Sequence, residues 1–489
     1  MITLIDVLRV QAWLHPEREV LVADGERWSS RELYRQALQL ACVMQRRYGL
    51  CEGQTVGLLC RNHLVAILLL PALMRLGVHI RLLSTDMPAS QLARLVEERC
   101  TLLVYDEEVR ARCLPEAMRC QAVTAEEVRM RLKEAMVSSE AMASSESGGK
   151  EPTLPRVDRY ASLSVFTGGT SGTFTEAART SSVQPFLAPF LALIRQVGLL
   201  HRRSVLIALP LYHGFGLSAL IVSLVLGKKV CLLRHFEPQA ALAMIRQERV
   251  EVLPVVPAIL SRLWQAPEAS EALQDVRCIL SGGDHLPRSL VRLTQQNLGA
   301  VLYNLYGTSE AGFFVLAKPQ ELCSADREGL LGKPILGVQC EVREADAQGV
   351  GSLWVRSAWA MSSRQDQWQN TGDLVSRDDH GYLYHHGRAD RMVVCGGVNV
   401  YLDNVERVLL AHPDVANARV YPVAHPDFGQ VLHANVELAS AIDTPLTSEE
   451  LRQWLSSRLS RAEMPHDITF GRIELLSTGK SIAKKTIVP

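Results

Sequence analysis

A chain of 489 residues is too long for a single hydrophobic core and implies at least two domains. Hydrophobic residues make up 47% and charged residues 21%, the balance of an ordinary globular protein rather than a disordered one. Lys plus Arg equals Asp plus Glu at 52 each, so the net charge gives no global pull toward nucleic acid or an anionic membrane as partner. Met1 to Asp6 lacks the basic-then-apolar layout of a signal peptide. The apolar runs Val65–Met74 and Leu217–Leu226 are too short to span a bilayer. Eleven scattered cysteines with no Cys-x-x-Cys pair suggest reduced thiols in a cytoplasmic protein, with no zinc site.

The first 130 residues alternate helix-like and strand-like stretches. Arg31–Gln45 has helical spacing of Leu33, Ala37, Leu40 and Met44, and Thr55–Cys60 suits a buried strand. Leu64–Leu76 is predicted helical with Gly77 as its stop, Val78–Leu83 a strand, Ser90–Glu98 a helix and Leu102–Tyr105 a strand. Such alternation predicts parallel strands joined by helical crossovers. Glu134–Pro155, rich in Ser, Ala, Glu and Gly, is expected to be an exposed or disordered linker. A strand-turn-helix is expected over Leu163–Val183, and strands over Val205–Leu209, Val230–Leu233, Val252–Val256 and Cys278–Leu280. From about Gly349 short strands take over, at Gly351–Val355, Tyr382–Tyr384 and Arg391–Val394. A last unit of helix (Asn404–His412), strands (Ala416–Val423, Val431–Leu438) and helix (Ser448–Ser460) suggests a separate α+β domain. The predicted fold is α/β: a large N-terminal domain, 1–387, with mixed and parallel sheets flanked by helices and a β-barrel-like part, then a small mobile α+β domain, 388–489.

Seven segments carry chemistry. In Thr167-Gly168-Gly169-Thr170-Ser171-Gly172-Thr173, glycines let backbone N–H groups approach a ligand and hydroxyls add donors, as in a phosphate-binding nest. It lacks the Gly-Lys-Ser/Thr of the P-loop, and a plain glycine turn is the competing explanation. In Tyr306-Gly307-Thr308-Ser309-Glu310 a ring suited to stacking on a purine stands near a hydroxyl and a carboxylate suited to phosphate and Mg²⁺. A strand end with a buried Tyr is the plainer alternative. Upstream, Ser281-Gly282-Gly283-Asp284 permits close approach to a flat base, or is an ordinary βα turn. Asp373, in Thr371-Gly372-Asp373, is placed to accept from two ribose hydroxyls, and Arg388, in Gly387-Arg388-Ala389-Asp390, to bridge to ribose or phosphate. A β-turn and a surface ion pair explain them equally well singly. Tyr212-His213-Gly214-Phe215-Gly216 follows an apolar strand and suits the wall of an acyl pocket, or a half-buried loop His. Near the C-terminus, Ser477-Thr478-Gly479-Lys480 holds one lysine in a glycine turn.

In this order and at these separations, the segments resemble the adenylate-forming superfamily of acyl-CoA synthetases, aryl-acid ligases, nonribosomal adenylation domains and firefly luciferase. The resemblance extends from Ser30–Leu33 and Gly53–Asn62 to Gly479-Lys480. It implies that Thr167–Thr173 contacts the phosphates of ATP and that Gly283, Asp284 and Tyr306, with Gly307 beside them, hold adenine. It places Ser309 on the α-phosphate, Glu310 on Mg²⁺, Asp373 and Arg388 on the ribose, and His213 beside the acyl pocket. Asp390 is the implied hinge, and Lys480 reaches the carboxylate and α-phosphate during adenylation. Gly396 and Gly397 face the site when the thiol of CoA, or of a carrier-protein phosphopantetheine, attacks.

The chain departs from the pattern at particular positions. Where the phosphate loop of relatives continues Pro-Lys-Gly, this chain has Phe174-Thr175-Glu176, so the lysine is absent and an acid stands nearby. Ser309 replaces a Thr, Val394 a frequent Lys and Leu402 a frequent Pro. Phe215–Leu220 holds no acid to pair with a substrate ammonium, whose burial unpaired is costly, so the expected substrate is an aryl or fatty acid rather than an α-amino acid. The expected activity is an acid–thiol ligase forming an acyl-adenylate with release of pyrophosphate, then an acyl-CoA. The alternatives are a carrier protein as acceptor, or a member that binds nucleotide or acyl ligand without turnover. Because only nine residues follow Lys480, a carrier protein is expected to act in trans.

Overall fold

The structure, a computed structural model, describes the chain save residues 1–2, 88, 114–119, 144–153, 156, 158–160, 169–173, 181–186, 325–328, 359, 362–365, 396–397, 426–428, 440–445 and 474–489. The chain packs as two compact units. The first comprises Met1–Glu237, Gln247–Pro254 and Trp359–Gln365; the second comprises Pro238–Arg246, Val255–Ala358 and Asp366–Pro489.

The strands of the first unit are β1 (Glu19–Ala23), β2 (Glu26–Ser29), β3 (Thr55–Leu59), β4 (His79–Leu82), β5 (Leu102–Tyr105), β6 (Gln121–Thr124), β7 (Ser162–Gly168), β8 (Phe174–Thr180), β9 (Ser204–Ile207), β10 (Lys229–Leu232) and β11 (Val252–Val255). One sheet has the order β6-β5-β3-β4-β7-β8, parallel until the antiparallel edge strand β8. Another run, β11-β9-β10-β1-β2, is parallel save for β2. Strands covered on both faces read as continuous apolar runs, and β5 and β9 are buried at every position. Helix Ser30–Tyr48 starts in a capping box, in which Ser29 and Glu32 satisfy each other's backbone N–H groups, and ends at Gly49 in the left-handed region. It buries Leu33, Ala37, Leu40 and Met44, the expected stripe.

Two expectations fail here. Helix Ala125–Ala143 runs through the first part of the stretch assigned to a linker, and the Gln39 amide donates to the Ala135 carbonyl at 3.2 Å. Packing on helix Ser30–Tyr48 outweighs a composition poor in large apolar residues. The strand-turn-helix expected over Leu163–Val183 is instead a hairpin, β7 paired with β8 from Ser162↔Thr180 to Gly168↔Phe174.

The second unit adds β12 (Cys278–Gly282), β13 (Leu302–Thr308), β14 (Gly312–Ala317), β15 (Leu330–Pro334), β16 (Val338–Arg343), β17 (Gly351–Ser357), β18 (Gln369–Arg377), β19 (Leu383–Arg388), β20 (Met392–Cys395), β21 (Val398–Tyr401), β22 (Val415–His425), β23 (Gly429–Leu438) and β24 (Asp467–Phe470). β12 and β13 are parallel, and an antiparallel run continues β13-β14-β15-β19-β18-β17-β16. Near the end of the chain β22-β23-β24 form a three-stranded sheet. Val405 and Leu409 of helix Leu402–Leu410 and Leu451 and Leu455 of helix Ser448–Ser456 bury against its Val420, Leu432 and Val436. The carboxylate of Glu406, on that first helix, is closed by Arg391 at 2.8 Å, Arg419 at 3.2 Å and the Val420 N–H at 2.8 Å. Among the described residues ten cysteines carry free thiols. Among the described residues no helix is long and apolar enough to cross a membrane.

Candidate functional site

Asp373 is the centre of the described site. It lies on β18, 5% exposed. Its N–H donates to the Thr371 hydroxyl at 3.2 Å, and that hydroxyl donates to the Leu353 carbonyl at 3.0 Å, which fixes the backbone. The Tyr306 hydroxyl, at the far end of β13, donates to Asp373 Oδ2. Arg388 Nη1 reaches Oδ1 at 3.3 Å, and His385 Nε2 lies 3.6 Å from the same oxygen. Arg388 sits opposite Asp373 in the β18–β19 ladder, and a register shift between Leu374 and Val375 turns His385 toward the same carboxylate. Gly372 has φ +79, and a Cβ there would lie 2.7 Å from Arg388 Nη2. The glycine thus serves the turn and the guanidinium together.

The guanidinium of Arg388 is shared. Nε and Nη2 grip the Asp390 carboxylate at 2.8 and 3.2 Å, and the backbone N–H donates to Asp403 at 2.7 Å. Asp390 above all, then Asp373, hold Arg388 more firmly charged against the opposing effect of burial. The Tyr306 ring packs edge-on against Phe314 with centroids 5.1 Å apart. Its hydroxyl is pushed well above the usual tyrosine range by burial, then by the Asp373 charge, so it stays a donor.

Gly283, after β12, has φ +82 and only Val256 nearby, at 3.6 Å from a notional Cβ. Asp284 is exposed and accepts from the His285 N–H at 2.8 Å. His285 was not singled out by the sequence. Desolvation pushes its ring down to about 3, and the charges of His385 and Arg407 add to the effect, so it is a neutral imidazole at any physiological pH. Gly307 has a structural reason to be glycine: a Cβ there would fall 2.3 Å from the Gly312 carbonyl oxygen within the β13–β14 hairpin. Ser309 and Glu310 lie in the turn of that hairpin, half-buried, and the Thr308 hydroxyl accepts from the Ala311 N–H at 3.1 Å to hold it. Glu310 makes no ion pair among the described residues. One such carboxylate suits Mg²⁺, which is bound by one or two carboxylates with substrate phosphates and waters.

The other expected residues belong to the first unit or lie outside the described residues. Thr167 and Gly168 end β7; 169–173, which hold Gly169, Thr170, Ser171, Gly172 and Thr173, are outside. His213 is the N-cap residue of helix Gly214–Val225, its ring 4.6 Å from that of Tyr212, whose hydroxyl meets Thr85 at 2.8 Å. Gly216 is dictated by backbone approach, since a Cβ would meet the Pro210 carbonyl oxygen at 2.4 Å. Gly396, Gly397 and Lys480 fall outside the described residues. The structure therefore gathers Tyr306, Asp373, Arg388 and Asp390 into one network. It adds His385, which the sequence reasoning missed; its only signal was a ring on the strand that carries Arg388, and the register shift hid it.

Residues 8–363 match the model of the AMP-binding enzyme family, and residues 404–480 that of the AMP-binding enzyme C-terminal domain. A 2-succinylbenzoate–CoA ligase of Bacillus velezensis is 30% identical over 93% of this chain and 91% of its own length. Its counterpart in Bacillus licheniformis is 28% identical over 95% of each. The o-succinylbenzoate CoA synthetase of Bacillus subtilis, solved with its acyl-adenylate intermediate, superposes with a TM-score of 0.78 over 97% of this chain and 96% of that one, at 24% identity. An amide bond synthetase of Marinactinospora thermotolerans gives 0.76 over 98% of each chain at 25% identity. The chain belongs to the AMP-binding enzyme family.

Proposed function

We propose that this protein is an AMP-forming acid–thiol ligase that activates an aryl or aliphatic carboxylic acid with ATP and passes the acyl group to CoA. The observation that carries this reading is the state of Asp373. A carboxylate offers about four lone-pair sites. Tyr306 and Arg388 occupy one on each oxygen, which leaves one on each for the two ribose hydroxyls.

In the first half-reaction a carboxylate oxygen of the acid attacks the α-phosphorus of ATP, the bond to the β-phosphate bridge breaks, and pyrophosphate leaves. Asp373 and Tyr306 fix the nucleoside, so the α-phosphorus is held in one place for the attack. Ser309 donates toward the α-phosphate, and Lys480 offsets the charge that accumulates there. Glu310 is the residue that would hold Mg²⁺, which supplies further charge neutralisation to the phosphates when bound. In the second half-reaction the thiol sulfur attacks the acyl carbon, the acyl–phosphate bond breaks and AMP leaves. Residues 388–489 turn about Asp390 between the two steps, removing Lys480 and presenting Gly396 and Gly397. Thr167–Thr173 holds the phosphates, and His213 lines the acyl side.

CoA is favoured over a carrier protein as acceptor because the relatives are named as CoA ligases. Their acid, 2-succinylbenzoate, carries no ammonium, in keeping with the acid-free stretch Phe215–Leu220. It is the first acid to test. Pyrophosphate release and hydroxamate trapping over a panel of aryl, aliphatic and amino acids, with and without CoA, decide the matter. Acid-dependent trapping without CoA and thioester with CoA are expected. A strong preference for a free amino acid, or no trapping with any acid, would overturn the reading. Lys480→Ala is expected to depress adenylation far more than thioester formation from preformed adenylate; equal loss in both contradicts its role.

A further inference from the structure

One carboxylate grips the 3₁₀ turn Ala389–Arg391 from both ends. Asp403, on the first turn of helix Leu402–Leu410, accepts the Arg388 N–H on Oδ2 at 2.7 Å, and its Oδ1 accepts from Arg391 Nη1. Arg388 ends β19 and precedes the turn, and Arg391 closes it. The two bonds differ in kind. Arg391 and Asp403 both follow Asp390 in the chain, so a change of torsion at Asp390 carries them together. The Arg388 N–H lies upstream, so the same change draws it away from Oδ2. Arg391 is fixed from its other side by Glu406, Nη1 to Oε2 at 2.9 Å and Nη2 to Oε1 at 2.8 Å, and Nη2 also donates to the Val420 carbonyl at 3.4 Å. The strand end leaves room for the approach: Gly387 has φ +134, and a Cβ there would lie 3.2 Å from Asp403 Cβ. The Asp403 side chain is 18% exposed, and an ionised acceptor makes the stronger class of hydrogen bond.

We propose that Asp403 is a positioning residue for the hinge: its bond to the Arg388 N–H is a latch that holds Ala389–Arg391 in the torsions seen here and must break before residues 388–489 turn. The inference rests on the reading of Asp390 as the hinge between two half-reactions. Opening the latch leaves no carboxylate bare in a half-buried place, because Arg391 travels with Asp403. Closing it re-forms one directed bond. A hydrogen bond to a charged partner shifts a two-state balance by about tenfold to a hundredfold, so Asp403 sets how the chain divides its time between the two half-reactions.

The test compares wild type, Asp403→Ala and Asp403→Asn in the full chain, with 2-succinylbenzoate or the panel acid that traps best. Four quantities are read: deuterium exchange at the Arg388 amide, the single-turnover rate of adenylate formation, the rate of thioester formation from preformed adenylate, and melting temperature. Asp403→Ala is expected to speed exchange at Arg388 about tenfold and to change the ratio of the two rates about tenfold. Melting temperature stays near wild type, because Glu406 keeps Arg391 paired. Asp403→Asn, whose amide oxygen can still accept from the N–H, is expected to fall between wild type and Asp403→Ala in exchange and in rate ratio. A merely structural role would lower melting temperature and slow both half-reactions alike. That outcome, exchange at Arg388 no faster than in wild type, or faster exchange with an unchanged rate ratio would each overturn the proposal. Should Asp403→Ala fail to fold, Asp403→Asn is judged by the same exchange and ratio. Wild type that forms no adenylate with any acid refutes the ligase reading itself, whereas wild type that completes both half-reactions, with a ratio unmoved by Asp403→Ala, refutes only the latch.

Discussion

Two buried carboxylates, each with a histidine beside it, behave oppositely in the two units. In the first unit Asp106, 3% exposed, takes His63 Nε2 at 2.8 Å and the Arg61 N–H at 2.8 Å. The other ring nitrogen of His63 accepts from the Ala66 N–H at 3.3 Å, capping helix Leu64–Arg75. With Cys60 these side chains have the donor set of a metal centre. Yet both ring nitrogens are already committed, and the Cys60 thiol, which burial drives well above its ordinary range, donates to the Val104 carbonyl at 3.6 Å. The His63 side chain is only 5% exposed, so the cluster faces the interior and holds the fold together. In the second unit Asp373 also has one close partner on each oxygen, but its surroundings open outward: the side chains of His385 and Arg388 are 19% and 36% exposed. The lesson is that a buried carboxylate is a candidate ligand site where the groups around it reach solvent.

Substitutions can break that contrast. Asp106→Asn leaves His63 and Arg61 poorly paired in the interior and is expected to destabilise the protein by about 3–5 kcal/mol, seen as a lowered melting temperature with activity per folded molecule retained. Asp373→Asn should do the reverse, lowering kcat/KM for ATP about 100-fold or more with little change in melting temperature. If Asp373→Asn unfolds the protein while Asp106→Asn kills only the activity, the contrast is inverted and wrong.

His285 sharpens it through pH. Its folded pKa, about 3, lies below the unfolded value near 6.5. Between those values the unfolded chain binds the extra proton, so stability falls as pH drops from about 6.5 toward 3, by up to about 1.4 kcal/mol per pH unit. His285→Gln should flatten denaturation curves measured across that window, and an unchanged slope would show that His285 is not the group responsible. Tyr306→Phe removes one donor to Asp373 and should raise KM for ATP about fivefold, leaving KM for the acid unchanged. Smallest of all, Zn²⁺ and chelators should each leave the melting temperature unchanged; a clear rise with Zn²⁺ would reopen the Cys60–His63–Asp106 cluster.

Much of the fold was legible because β3, β5 and β9 are buried on both faces and announce themselves as apolar runs. β8 was not, because an edge strand tolerates Thr175 and Glu176, and that acid is paired by Arg81, two strands away, and by Arg99. The helix over Ala125–Ala143 was hidden beyond Glu134 by a Ser- and Ala-rich composition, which local propensity cannot distinguish from a linker once tertiary packing decides. At the site, Tyr306, Asp373 and Arg388 were legible as residue types, whereas His385 depended on a shifted register that no periodicity predicts. Gly307, expected among the nucleotide-binding residues, also has a structural reason to be glycine in the carbonyl of Gly312.

On the proposed function, the fork of Arg388 spans two carboxylates that serve different purposes, one for the sugar and one at the short 3₁₀ turn Ala389–Arg391. A change in backbone torsion at that turn would strain or rupture a contact to the carboxylate proposed for the nucleoside. Under that proposal rotation and sugar release are not independent events, and a nucleotide lacking its 2′ and 3′ hydroxyls should alter when the swing happens, beyond how tightly it is held.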